Sequence, residues 1–440
     1  MIAEDFAQAS RETLIALILE QDATIGVLQE RIGILEKRLA SRVGPGMPGN
    51  KPTPPPKPPQ ARQKRAHGYG RHRLPPTATI QHAVDTCPDC GTRLVGGWIQ
   101  ATREVIELPV VPVQVIDHQF IARECPLCHR RQVPKVALEG VVLGRQHRLG
   151  LDLVSLIVTL REEGRLPFGT IQWYLQAVHQ LHLSRGGVVR VVQQVAQRAR
   201  ATVEDIRQTI AASPVVHADE TGWREHGKNG YVWTFGTPTA GYFVRGGRGK
   251  AMVDTVLGTT GEATLVSDFY AAYHHYPGLK QRCWAHLFRA IHDLKEVYPT
   301  DRALADWAAA VLTLYEEATA FTSPHATERV AKQHDCEERL LAVCRPFLAT
   351  PVAVQATLCR RIERHLKELF VFVADPRVPP TNNGAERSLR HLVTSRKISG
   401  GTQSPQGTTA KMTLASLFTT WRLQGLNPLQ ECRTLLQSPA

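Results

Sequence analysis

Three acidic residues stand in strings that could bring them to one place: Asp219 in Pro214-Val-Val-His-Ala-Asp-Glu-Thr-Gly-Trp223, Asp268 in Ala263-Thr-Leu-Val-Ser-Asp268-Phe-Tyr, and Glu386 in Thr381-Asn-Asn-Gly-Ala-Glu-Arg-Ser-Leu-Arg390. The first two strings begin as apolar, β-branched runs, and each aspartate falls where a strand meets a turn. Neighbouring strands lie about 4.8 Å apart, so two such carboxylates can bridge divalent ions. Two ions about 4 Å apart activate an attacking oxygen and stabilise a leaving one, which is what cutting a phosphodiester requires. The third carboxylate must come from elsewhere, and Glu386 is the candidate. Arg387, Arg390, Arg396 and Lys397 crowd the same segment and would hold a phosphate backbone. Each acid also has a structural reading. Either aspartate could be an ordinary turn residue, and Glu386 could close a capping box begun by Asn383. Glu220, beside Asp219, should point to the opposite face of its strand.

A second chemistry belongs to sulfur. Cys87-Pro-Asp-Cys90 and Cys125-Pro-Leu-Cys128 are two short knuckles separated by a stretch rich in β-formers, the signature of a zinc ribbon. A two-residue spacing lets each pair present both thiolates to one ion, and four sulfurs complete a tetrahedral shell with no place for water. The Zn²⁺ would therefore be structural. A redox pair is the alternative, and His129 competes for the ligand role. Cys283, Cys336, Cys344, Cys359 and Cys432 are scattered, as free thiols in a reducing compartment are.

These residues need elements to position them. Leu14, Ile18, Gln21, Ile25, Leu28, Ile32, Leu35 and Leu39 keep a 4,3 alternation, the seam of a coiled coil over residues 1–42, with Arg31 able to pair with Glu36 of a partner chain. An amphipathic helix packed on its own protein would show the same stripe. Residues 43–76 are Pro-, Gly- and basic-rich and read as an extended linker. A zinc-binding module follows over 77–140. Residues 141–212 form a helical linker domain, broken at Gly164 to Pro167 and restarting at Ser184. Its pattern fits a helix-turn-helix presenting Arg185, Arg190, Gln193 and Gln194, or a plain bundle. From 213 to 300 the order β, β, β, α, β, α, β, α predicts a mixed sheet, the order of ribonuclease H-like folds. An all-helical insertion at 301–378 then precedes the last part of the core at 379–440. The fold class is multidomain α+β.

Composition sets the partner. The 440 residues carry a net charge of +13, so DNA or another polyanion is the natural ligand. No apolar run is long enough to span a bilayer, and the first residues lack a signal peptide's basic start and apolar middle, so a cytoplasmic, nucleoid-associated protein with no membrane partner is expected.

Taken together, His217-Ala-Asp-Glu-Thr-Gly-Trp, Val266-Ser-Asp-Phe-Tyr, Gln281-Arg-Cys-Trp-Ala-His, Thr381-Asn-Asn-Gly-Ala-Glu-Arg and Arg396-Lys-Ile-Ser-Gly-Gly-Thr resemble the insertion sequence 66 family of bacterial DDE transposases. The resemblance extends over nearly the whole chain, since that family also has a zipper-like N-terminal helix and a zinc module. It implies an RNase H-like α/β catalytic domain with Asp219, Asp268 and Glu386 as the catalytic acids, Mg²⁺ or Mn²⁺ as cofactor, and transposon ends and target DNA as substrates. It further implies a homodimer or higher homo-oligomer, with accessory proteins of the same element as possible partners. Cys283 and His286 match a Cys-x-x-His element of several DDE transposases, where its role is supporting. Read from the residues alone, a packed cysteine and a hydrogen-bonded histidine serve as well. The alternative function is a catalytically inactive, zinc-dependent DNA-binding regulator derived from a transposase.

Overall fold

A computed structural model describes residues 10–11, 15–16, 18–19, 21–22, 25–26, 29, 75–106, 113–135, 148–350 and 352–437. Two units divide the chain, Met1–Pro112 and Val113–Ala440. In the first unit Arg11, Ile15, Ile18, Leu19, Gln21 and Ile25 are helical, and the apolar ones among them are exposed. Leu14, Leu28, Arg31, Ile32, Leu35, Glu36 and Leu39, like the basic linker up to residue 74, lie outside the described residues.

In the second unit, β-branched and aromatic residues build a five-stranded sheet. Val215–Glu225 (β1), Lys228–Gly236 (β2) and Gly241–Gly246 (β3) form an antiparallel meander, while Thr264–Ser267 (β4) and Lys280–Arg282 (β5) run parallel to β1. The spatial order is β3-β2-β1-β4-β5. Two expectations change. The β1 strand runs on well past Asp219, because its hairpin partner β2 keeps pairing to Glu225. The helix expected between β4 and β5 is a single 3₁₀ turn, Ala271–Tyr273. Its aromatic residues Tyr270 and Tyr273 pack on Trp233 instead of extending a helix.

Alternation along β1 separates two cores. Val216 and Ala218 face a core shared with the helices Leu151–Glu162 (α1), Phe168–His179 (α2), Arg185–Arg198 (α3) and Arg200–Ala211 (α4). Ser184 caps α3 by accepting from Gly187 N at 3.1 Å, and Val188, Val191, Val192 and Val195 are its buried face. A short helix, Ala251–Leu257 (α5), joins β3 to β4. On the other face, Val215 and Val266 meet Trp284–Val297 (α6) and the helices Arg302–Ala320 (α7), Ala326–Leu348 (α8), Ala356–Arg364 (α9) and Val371–Ala374 (α10). The chain returns through Asn383–Ser399 (α11) and Pro405–Leu423 (α12) and ends in Pro428–Gln437 (α13). No helix among the described residues is long and apolar enough to cross a membrane.

The β3 edge is covered, which satisfies backbone groups that would invite a further strand. At β3, Phe243 N donates to Ser416 Oγ at 2.8 Å and Gly241 N to Thr420 Oγ1 at 3.1 Å, both from α12. Beside β5, the buried Gln281 side chain donates to Leu369 O at 3.0 Å and accepts from Phe372 N at 3.1 Å, which seats the helical insertion. The Gly-Gly-Thr string after α11 docks on the end of β1. Thr402 N donates to Arg224 O at 3.0 Å, and a Cβ on Gly401 would collide with that same carbonyl.

A buried ion pair ties α12 to α1. Lys411 Nζ lies 2.7 Å from Glu162 Oε2, with side-chain exposures of 4% and 1%. Beside it His391 is held neutral, pushed down to about 3 by burial and by Lys411, Arg422 and Arg165. Removing one partner strands a charge in the interior, whereas replacing both with apolar groups does not. Lys411→Met should therefore destabilise the protein by about 3–5 kcal/mol, and Lys411→Met with Glu162→Leu should recover most of that. Urea denaturation of both variants measures it; equal losses would show that the charges are not coupled.

Candidate functional site

Register brings the two aspartates level. The last parallel pair is His217 with Val266, so Asp219 and Asp268 each stand two residues beyond it, on strands that part there. Asp219 shares its face with Val215 and His217, the α6 side. Glu220 lies on the other face, where its Oε2 accepts from Tyr273 Oη at 2.8 Å and Arg248 stands 3.8 Å from its Oε1. Arg248 itself stacks on Tyr231 and Tyr270. The Asp268 loop is fixed by its own carboxylate, which accepts from Tyr270 N at 2.9 Å, and from behind by Arg282, whose guanidinium donates to Asp268 O at 2.7 Å and Ser267 Oγ at 3.1 Å. Arg282 is fully buried and paired with Glu368 of the insertion at 2.5 Å.

Glu386 arrives on the first turn of α11. The cap of this helix is Asn382 and not Asn383, which removes the capping-box reading: Glu386 falls beyond the box position, and its backbone N–H donates to Asn382 O at 3.2 Å. The Asn382 side chain does not cap the helix. It is fully buried, donates to Ala218 O at 2.7 Å and contacts His217 Nδ1 at 3.0 Å, so the helix start is stapled to β1 immediately before Asp219. Because the amide nitrogen is used on Ala218, its oxygen accepts, and His217 carries its proton on Nδ1. Burial pushes His217 down, against the Asn382 hydrogen bond that raises it, and Arg387 adds to the lowering.

Asp219 feels the charges of the other two acids. Burial first, then the charges of Glu220, Asp268 and Glu386, push Asp219 up to about 7, against a single backbone hydrogen bond from Glu220 that lowers it. Glu220 is also raised, first by burial. Glu386 Oε1 is buried and has no hydrogen-bond partner. Carboxylates are the donors of a hard divalent cation, and Asp219, Asp268 and Glu386 could hold one.

The other candidates separate. Arg390 follows Glu386 by one helical turn and Lys397 by three, and both are exposed. Arg387 is exposed in a cleft with His217, Thr381 and Arg422. Arg396 is committed to β1: its guanidinium donates to Thr221 Oγ1 at 3.1 Å and to Gly222 O. On α3, Arg185 and Arg190 are exposed, while Gln193 and Gln194 are half-buried. The cysteine knuckles are twins. Cys87 N donates to Thr92 O at 2.9 Å and Gly91 N to Cys87 O at 2.9 Å; Cys125 N donates to Arg130 O at 3.0 Å and His129 N to Cys125 O at 2.9 Å. His129 thus fills the left-handed position that Gly91 fills in the first turn, and its ring lies 3.4 Å from Glu124. Hydrogen bonds lower the Cys90 and Cys125 thiols, from the Thr92 side chain in one and the Cys128 backbone in the other.

Cys283 and His286 come to the acidic site. Cys283 precedes α6, fully buried, and its Sγ accepts from Asn382 N at 3.1 Å. Burial, with a smaller push from Glu386, raises its thiol. The His286 Nδ1 lies 3.7 Å from Glu386 Oε1 and has no hydrogen-bond partner. Sequence reasoning expected a packed cysteine and a hydrogen-bonded histidine; the cysteine is packed and this ring nitrogen is not bonded. Glu386 could not be counted with them because it lies 100 positions beyond His286, past the helical insertion. Arg282, Asn382 and His217 were also missed as positioning groups, although all three lie inside the quoted strings.

The site thus combines a mixed sheet, with Asp219 and Asp268 two residues beyond its last parallel pair, and a basic helix that carries Glu386. Residues 147–410, more than half of the chain, match the family described as Transposase IS66 family, and the chain belongs to that family. It is similar to an uncharacterized protein, y4jO, of Sinorhizobium fredii (strain NBRC 101917 / NGR234), at 40% identity over 70 residues, 16% of this chain. The matched stretch is 22% of that relative's length.

The raised Asp219 has a consequence for stability. Its folded pKa lies above that of the unfolded chain, so its cost is absent near pH 4 and complete above about pH 7. Without added divalent ions, Asp219→Asn should stabilise the protein at pH 8 by on the order of 2 kcal/mol and leave it unchanged near pH 4. Thermal melts at the two pH values read this; the same shift at both would remove the charge argument.

Proposed function

We propose that the chain is a DDE transposase that binds the ends of its element and cuts and joins DNA at Asp219, Asp268 and Glu386. The observation that carries this is that Asp219 and Asp268 each stand two residues beyond the last parallel pair of β1 and β4, with Glu386 near enough to raise Asp219. The strand order β3-β2-β1-β4-β5, with the first three antiparallel, supports an RNase H-like core. Mg²⁺ or Mn²⁺ bound by the three acids would polarise the phosphoryl oxygens and lower the pKa of the attacking water. The chain's own work is positioning. Asn382 holds the start of α11 against β1, and Arg282 holds the Asp268 backbone from behind. Arg390 and Lys397 lie along the helix from Glu386 and offer charge to the substrate backbone, with Arg387 on the cleft side. Arg396, already bonded to β1, orients α11 and adds positive charge.

Hydrolysis at an end releases a 3′-hydroxyl, and that hydroxyl attacks a target phosphodiester in line, so no protein nucleophile takes part. The N-terminal stripe would pair chains as a coiled coil, giving a homodimer or larger assembly, and accessory proteins of the element are further partners. Cys87, Cys90, Cys125 and Cys128 would hold one structural Zn²⁺, consistent with their matched turns.

Purified protein with DNA carrying the element's ends provides the test. Wild type should nick the ends and transfer them only with Mg²⁺ or Mn²⁺. Asp268→Ala should lose both steps by about 10³-fold or more, the several kcal/mol supplied by the bound ions, while still shifting end DNA in a gel. End binding with no metal-dependent cutting by wild type would favour the inactive regulator, and cutting without end preference would favour a general nuclease.

A further inference from the structure

The side chains of Cys283, His286 and Glu386 offer a sulfur, a nitrogen and an oxygen that all lie within 4.8 Å of one another. The arrangement is built by two helix starts. Cys283 caps α6, which carries His286 around its first turn, His286 N donating to Cys283 O at 3.2 Å. The α11 helix brings Glu386 across, and Asn382, at the head of that helix, donates its backbone N–H to Cys283 Sγ at 3.1 Å. One donor is therefore already spent on steadying the sulfur, as in thiolate sites.

The other two ligand atoms are unspent. His286 Nδ1 and Glu386 Oε1 are buried, face each other at 3.7 Å and bond to nothing. That separation is too long for a hydrogen bond. It is close to the N···O edge of a tetrahedral zinc shell, about 3.3–3.5 Å. We propose that Cys283, His286 and Glu386 form a second metal site, distinct from the one formed by the acids, for a borderline divalent ion such as Zn²⁺, with one coordination position open. Sulfur and imidazole select against Mg²⁺, which takes oxygen ligands. On binding, the thiol proton leaves to solvent and both sulfur electrons go to the metal bond. Glu386 then stands between two sites of different chemistry, a carboxylate shared by hard-ion and soft-ion ligand sets.

Metal content tests this without recourse to cleavage, so the site can fail while DNA cutting by the acids stands, and the reverse. The full chain is loaded with Zn²⁺, dialysed and assayed by mass spectrometry. Cys283→Ser and His286→Ala should each hold one zinc fewer per chain than wild type, and excess Mg²⁺ should not displace that zinc from wild type. Cys87→Ser with Cys90→Ser should leave this equivalent in place. Cobalt substitution gives a second reading, in which Cys283→Ser weakens the sulfur-to-metal absorption band. Circular dichroism verifies folding, and His286→Ala, on a half-exposed residue, carries the test if the cysteine variant misfolds. Folded variants with the wild-type zinc content, or displacement by Mg²⁺, would overturn the proposal.

Discussion

One buried amide holds the site together. Asn382 donates to the carbonyl before Asp219, accepts from His217, gives its backbone N–H to the Cys283 sulfur and accepts from Glu386 N. Nearly all its polar atoms are satisfied by three elements that are remote in sequence: β1, the start of α6 and α11. With no exposure to water, each lost bond would leave an orphaned group in the interior. Such a joint tolerates little movement, and that tolerance sets how far Glu386 can sit from the aspartates.

Around the joint, charges are sorted by face. Glu220 is occupied by Tyr273 and Arg248 on the side of the helical domain, leaving Asp219, Asp268 and Glu386 to define the α6 side. Arg282 stands behind the cluster, and its charge is drawn toward Glu368, which is held well down, to about 2, by His365, Arg282 and Lys280 despite its burial. The helical insertion therefore contributes an anion that fixes a cation that fixes the Asp268 backbone. An insertion that looks like an interruption in the linear chain is one wall of the site.

Much of this was legible in the residues. Apolar runs of β-branched and aromatic residues marked the first four strands, and the helix restart at Ser184 followed from local chemistry alone. The two aspartates could be paired because strand spacing is a constant of sheets. What could not be read was whatever depends on register between distant segments. The capping role of Asn383 was locally reasonable, yet tertiary bonds from Asn382 moved the helix start by one residue. The helix after β4 was lost to aromatic packing on Trp233. His286 looked like a residue with a partner, since no sequence pattern shows that the facing atom belongs to Glu386.

The bond between Asn382 and Ala218 spans 164 positions. Translation adds roughly 5–20 residues per second, so β1 leaves the ribosome about 10–30 s before the segment that completes its site. During that interval the edge of β3 also lacks Ser416 and Thr420, which arrive later still. Glu386 thus reaches the aspartates late, ahead only of the helices that close the β3 edge and pack on α1. A nascent copy carries its two aspartates before α11 exists, so the sheet precedes the helix that brings Glu386 to it.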